Sequence, residues 1–388
     1  MHDAVRASQE RWRGTRSYLN QHRPSLIAAA AELYPDVPQI PGTLLLSRPE
    51  WQPARPVDLR DVPLRWDAAA PAATTAGGEP ETLPVRPLQA GGRPFDTYAD
   101  AMAALDRPRL FENRPAYRLL AADLGAVPSL TFAAGRYFDV LNVAEAVGHE
   151  YADRARAGAA PGWRDLPLRA RLGDPFDLAG RPLMVAMAAL TLRRDPATGD
   201  ATFVMHWRDP RRVASGGGLY QVMPVGVFQP TGESEADRAN DFDLWRGLVR
   251  EYSEEFLGAA ELTGEAGGVL DYEAWPFFQA MCRARAEGTV RVHCLGIGID
   301  PLTLVADILI AAVFDAGAFD ELLGGVVSAN EEGRVVTAGD GQGIAFTERA
   351  IGEFLRDKPM QPAGSAVLAL ALEHRDALLA PMPETRRS

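Results

Sequence analysis

This chain of 388 residues has almost no lysine. Of its 40 basic residues one is Lys358, placed directly before Pro359, and every other is arginine. A phosphate-binding P-loop needs a Gly-Lys-Ser/Thr string, and none occurs. A pyridoxal-phosphate enzyme needs a Schiff-base lysine, and the polar, turn-like surroundings of Lys358 do not suit one. We attribute the arginine excess to codon bias in a GC-rich genome. Cysteine is as scarce. Cys282 and Cys294 form no CxxC pair, which excludes a structural zinc cluster and a disulfide framework. The six histidines are scattered, and His149-Glu150 opens like HExxH without the second histidine. No charged-then-apolar signal pattern follows Met1. The most apolar window, 302–313, is interrupted by Asp307 and is too short to span a bilayer. These absences predict a reduced, soluble, cytoplasmic protein with no membrane partner. With 52 acidic residues against 40 basic and a net charge of −12, broad nucleic-acid binding is not expected.

What remains is globular: 47% hydrophobic and 24% charged residues, in a chain long enough for two domains or one large domain with additions. Trp12, Leu19, Leu26 and Leu33 recur at sevenfold spacing, which predicts one or two helices over 1–34 and makes a homodimer plausible. From Pro35 the chain is Pro-rich, with 43–46 as a short strand candidate. Residues 67–94 are rich in Ala, Pro, Gly and Thr and read as a flexible linker or loop. Helical signals resume over 95–121 and again over 140–156. The expected division is therefore 1–66 helical and Pro-rich, 67–94 linker, 95–180 helical, and 181–388 an α/β domain with C-terminal helices.

At Arg181 the texture changes. Residues 183–192 read as a buried strand, 195–200 as a turn and 202–207 as a second strand, together a hairpin. A glycine-rich stretch at 215–218 leads to a strand over 220–228. A helix over 242–257 ends at Gly258. Beyond it 289–299 is strand-like, and 301–313, 348–355 and 364–379 are expected as helices. The loop 339–343 is a GxGxG without the upstream strand a dinucleotide site requires. His293 and Cys294 read as packing residues of a strand. Arg136, Tyr137 and Asp139 could serve a cleft, or fill core.

The helix over 242–257 carries Glu251, Glu254 and Glu255 at i, i+3 and i+4, on one helical face at the seam between core and solvent. Like charges so close repel, and a hard divalent cation with oxygen ligands relieves the repulsion. The bland alternative is a solvated acidic face. Residues 250–255 (REYSEE) resemble the RExxEE heart of the Nudix box, and the hairpin followed by 223–226 (MPVG) resembles the strand and glycine turn that precede it. The similarity covers residues 180–315 at fold level. Strings at 43–51, 110–114, 136–139, 173–177 and 226–230 also resemble an actinobacterial group of proteins that often carry a helix-turn-helix, a part not expected within these residues.

The resemblance implies a Nudix-like α/β/α sandwich with a mixed sheet, beside a mainly helical N-terminal region. It implies Mg²⁺ or Mn²⁺ chemistry on a diphosphate linkage in a nucleoside diphosphate derivative. Glu251, Glu254 and Glu255 would be catalytic and metal-ligating, and the Gly226 carbonyl would approach the metal. Gly226, Arg250, His206 and Arg208 would face the phosphorylated small molecule, although His206 also suits a core or edge position. In the family pattern the arginine follows the glycine by about fourteen residues. Here an insertion over 229–240 lengthens that interval, and Glu233 is the nearest counterpart of the motif's middle glutamate. The rebuilt loop leaves two readings open: a divergent hydrolase, or a Nudix fold serving as a catalytically inactive ligand-binding or regulatory module. A purely structural partner protein is a third, with only the N-terminal helix in its favour.

Overall fold

The computed structural model describes residues 2–108, 111–158, 160–208, 217–262, 268–324, 333–336 and 343–381. The N-terminal part runs α1 (His2–Gln21), α2 (Arg23–Ala31), β1 (Val57–Asp58), β2 (Leu64–Trp66), α3 (Tyr98–Leu105), β3 (Pro115–Asp123), β4 (Ser129–Arg136), α4 (Tyr137–Arg156) and α5 (Pro167–Leu172). The rest runs β5 (Val185–Arg194), β6 (Ala201–Phe203), β7 (Met205–Arg208), β8 (Tyr220–Gln221), β9 (Val225–Val227), α6 (Glu235–Asn240) and α7 (Leu244–Glu251), which continues as a π-turn over Tyr252–Phe256. Then follow α8 (Pro276–Glu287), β10 (Val290–Ile299), β11 (Ala306–Asp315), α9 (Ala316–Leu323), β12 (Gly333–Val336), β13 (Ile344–Ala345), α10 (Glu348–Asp357), α11 (Pro362–Glu373) and α12 (Arg375–Leu379).

The main sheet is mixed, in the order β1-β10-β11-β5-β6-β13, with β9 beside β6 on the same edge of β5. β5 and β11 lie parallel at its centre, from Val185 opposite Ala306 to Arg194 opposite Asp315. Side chains alternate across a strand, so β5 serves two cores. Val185, Met187 and Ala189 join the large core with Leu248, Tyr252, Phe278 and Leu323 of the α7–α9 side. Ala188, Leu190 and Leu192 join a second core with Ile351, Val367 and Leu378 of α10–α12. Helices therefore cover both faces of a mixed sheet, an α/β architecture.

Two stretches expected to be helical are strands. Residues 301–313 carry β11, and 95–121 carry only α3 before β3 begins. Both are rich in alanine and leucine, which periodicity alone does not resolve. β11 is flanked by strands on both sides and covered on both faces, so it reads as a continuous apolar run. β3 is held by an antiparallel ladder with β4, Pro115 opposite Arg136 through Asp123 opposite Ser129, and β2 joins β4 in parallel. The expected helical region 95–180 thus contains most of a three-stranded sheet. The candidate strand at 43–46 reduces to Leu46, which exchanges backbone hydrogen bonds with Ile299 at 2.8 and 3.0 Å.

The sevenfold seam at the N-terminus forms as two helices, α1 and α2, but it is spent inside the chain. Trp12 stacks on His149 with ring centroids 5.5 Å apart, and Leu19 and Leu26 pack with Tyr151 and Leu166. Under this seam Arg16 and Arg23, 3% and 8% exposed in their side chains, share Glu145 at 3.3 and 3.5 Å. Residues 67–94 are pinned rather than loose. Val85 lies in the large core, Trp12 Nε1 donates to its carbonyl at 3.0 Å, and Thr75 N donates to Gly180 O at 3.0 Å. The HExxH-like pair is structural too: His149 Nδ1 and the Tyr98 hydroxyl lie 3.0 Å apart, and Glu150 accepts from the amides of Leu168 and Arg169.

Candidate functional site

The glycine strand and the glutamate helix meet at the edge of the main sheet. β9 pairs antiparallel with β5, Gly226 opposite Met187. Ala189 N donates to Pro224 O and Phe228 N to Val185 O on either side of that pair. Hydrogen-bonded pairs alternate along an antiparallel ladder, so Gly226 directs both its amide and its carbonyl into β5. The backbone groups of Val225 and Val227 face the other way. The Gly226 carbonyl, expected to approach a metal, is directed toward Met187 of β5 in this ladder.

α7 starts at Asp243, whose carboxylate caps the amides of Trp245 and Arg246. It lies close on β5 because Gly247 has no side chain; a Cβ there would sit 2.9 Å from the Met187 methyl. The last turn is π-helical, anchored by the buried Tyr252, whose hydroxyl lies 2.8 Å from Thr191 Oγ1. Gly258, at φ +67°, ends it. The wider i→i+5 turn changes where the three carboxylates point. Glu251 lies on Gly226, so close that a Cβ at Gly226 would be 1.8–2.1 Å from the carboxylate atoms. Glu255 Oε1 accepts from Val225 N at 2.8 Å.

Glu254 belongs to a different neighbourhood. Burial and the charge of Glu261 push its pKa up to about 7, against the pull of Arg250, the Leu262 amide and Arg114. Glu251 and Glu255 thus meet β9 while Glu254 faces Glu261, and all three are half-buried. Among the described residues, no group of three or more His, Cys, Asp or Glu side chains is placed to hold a metal ion. Oxygen donors suit Mg²⁺ or Mn²⁺ in kind. As arranged, this set does not fit the expected three-carboxylate centre.

Arg250 does not face a ligand either. It is 7% exposed, its Nη2 donates to Gln229 O at 2.7 Å, and its Nη1 lies 3.9 Å from Asp241 Oδ2. The acid beside the motif arginine is Asp241, whereas Glu233, the nearest counterpart of the motif's middle glutamate, pairs with Arg136 at 3.1 Å. Asp241 is fully buried and accepts from Thr231 N, Thr231 Oγ1 and the Tyr272 hydroxyl, each at 2.7 Å. The insertion folds around it as α6, capped by Ser234, with Tyr117 donating to Arg238 O at 2.8 Å. It sits on the Arg250 flank of α7 and leaves the glutamates half-buried.

His206 and Arg208 lie on β7 in a separate three-stranded sheet, β12-β7-β8, with His206 opposite Gln221 and Val335. That sheet leads back to β9 through Val222, Met223 and Pro224. Residues 209–216, with the first two positions of the glycine-rich stretch 215–218, lie outside the described residues, as does the GxGxG loop apart from Gly343. The structure thus brings Gly226, Glu251 and Glu255 together, turns Glu254 and Arg250 elsewhere, and sets His206 and Arg208 on the adjoining sheet.

No family model and no curated protein matches this sequence.

The shift of Glu254 makes a pH-dependent prediction. The native carboxyl holds its proton up to about pH 7, whereas an unfolded glutamate loses it near 4.3. This favours the native state at low pH, and the advantage is lost as pH rises from about 4.3 through 7. After a discount for partial exposure, the effect is on the order of 1 kcal/mol. Glu254→Gln should be more stable than the parent at pH 8 and nearly equal at pH 4.5, by urea denaturation at both pH values. A variant no more stable at pH 8 would contradict the assignment.

Proposed function

We propose that this chain is a divergent Nudix-type module that binds a small molecule at the seam between β9 and the α7–π helix, without hydrolysing it. Support for the Nudix reading comes from the succession of strand, hairpin, glycine strand and RExxEE helix, and from helices on both faces of a sheet centred on parallel β5 and β11. One observation carries the preference for binding over hydrolysis: Glu251 and Glu255 lie against β9 while Glu254 faces Glu261. The resemblance implies a phosphorylated ligand.

Hydrolysis is the second reading, favoured by the insertion lying on the Arg250 flank and leaving the glutamates half-buried rather than sealed. The test is a panel of nucleoside diphosphate derivatives incubated with Mg²⁺ or Mn²⁺, assayed for phosphate-containing products and, in parallel, for binding by calorimetry. Binding without product is expected. Gly226→Ala must swing Glu251 off the strand and should weaken binding at least about tenfold, roughly 1.4 kcal/mol. Turnover abolished by Glu255→Gln would favour the hydrolase, and neither binding nor turnover would sink both readings.

A further inference from the structure

We infer that a second ligand site, independent of the glutamate seam, lies between the β3–β4 ladder and the start of α4, and that it takes a compact organic monocarboxylate with an apolar body. The cleft there has a volume of about 260 Å³. That is below the roughly 300–1,000 Å³ of clefts that hold drug-sized molecules, so the ligand is small. Its walls are methyl groups from Ala72, Ala76, Ala116, Val140 and Met184, and Arg118 lines it.

Arg118 is the deciding residue. It is 8% exposed, and its guanidinium donates to Pro71 O at 2.9 Å and to Ala179 O. Among the described residues no carboxylate lies within ion-pair distance of it. Burial depresses its pKa, and Asp139 is the one charge that opposes the fall. A buried charge is costly unless paired. The other buried arginines meet this cost. Arg16, Arg23 and Arg194 have carboxylates, and Arg250 lies near one. Arg169 has two carbonyls and the Tyr34 hydroxyl, and Arg181 has three carbonyls. Neither of these two lines the cleft. Arg118, with two carbonyls beside an open apolar space, is the one whose counter-charge a ligand can supply.

The rim sets the rest of the chemistry. Arg136, half-exposed, adds positive charge, but both its terminal nitrogens are engaged by Glu233 at 3.1 Å. Asp139 is exposed beside them and repels a dianion more than a monoanion. A single carboxylate on Arg118, with its hydrocarbon against the alanines, satisfies both constraints.

The test uses the full chain and four probes, hexanoate, benzoate, methyl hexanoate and inorganic phosphate, read by thermal shift and calorimetry. Hexanoate or benzoate should bind saturably and raise the melting temperature, with the ester and phosphate at least tenfold weaker. Arg118→Met should weaken the carboxylate at least tenfold. Ala72→Leu fills the cleft from an exposed position and keeps the arginine, and should abolish binding at unchanged melting temperature. It carries the test if Arg118→Met does not fold. No binding by the parent chain at tens of millimolar, equal binding of the ester, or full binding by Ala72→Leu would each overturn the inference.

Discussion

Replacing Asp241 with alanine is expected to cost about 3–5 kcal/mol of stability, as for any buried charge whose partners are left behind. The carboxylate is fully buried and accepts three hydrogen bonds of 2.7 Å, from Thr231 N, Thr231 Oγ1 and the Tyr272 hydroxyl, with Arg250 Nη1 at 3.9 Å. Alanine leaves the Arg250 guanidinium with Gln229 O and takes the acceptor from three donors. The damage should be local first. Thr231 and Tyr272 hold the insertion at its two ends, so protease cleavage within 229–241 should precede global unfolding. Asp241→Asn keeps the shape but loses the charge opposite Arg250, and should fall between alanine and the parent. A denaturation midpoint for Asp241→Ala within about 1 kcal/mol of the parent would mean that the acid does not organise the insertion.

The same residue shows what the sequence hides. The glycine strand and the glutamate helix were both readable, from the strand-like run over 220–228 and the apolar spacing over 242–257, and the structure places Gly226 on Glu251. The division of the carboxylates was not readable, because it depends on five residues turning as a π-helix, a backbone choice that α-helical spacing cannot register. The contact of Arg250 with Asp241 was not readable, because the two are nine positions apart and only the folded insertion brings them together. Asp241 stands two residues before the Asp243 cap, and a cap signal is what could have drawn attention to it. β11 was lost to the helix class because a strand covered on both faces has no polar side to reveal its period. The 67–94 stretch looked like a linker because small residues bury little; Val85 and Thr75 are held by partners far away in sequence.

A second large effect is expected at Glu145. It bridges Arg16 and Arg23 beneath α1 and α2, at 3.3 and 3.5 Å. Burial pushes its pKa up, but Arg23 and Arg16 outweigh burial and hold the carboxyl below its usual range. Glu145→Gln leaves the nearly buried Arg23 beside a neutral amide and Arg16 with Asp106 as its remaining carboxylate at 2.9 Å, and should cost about 3 kcal/mol at pH 7. Its folded pKa is depressed, so the stabilisation is present above the unfolded value near 4.3 and is lost as pH falls through the folded value. The gap between variant and parent should therefore be full at pH 7 and close at more acid pH, in urea titrations across that range. A gap that stayed constant into strong acid would assign the loss to packing rather than to charge.

The central pairing of β5 with β11 sets a condition on biosynthesis. Val185 finds its neighbour in Ala306, and Leu46 finds its own in Ile299, long after each has left the ribosome. Until then β5 is an apolar strand with one long edge unoccupied, able to join with another nascent chain as readily as with its own. Non-local parallel pairing also makes the folding step slow. Chain yield in the cell should therefore depend on chaperone supply and synthesis rate more than on the equilibrium stability of the finished molecule.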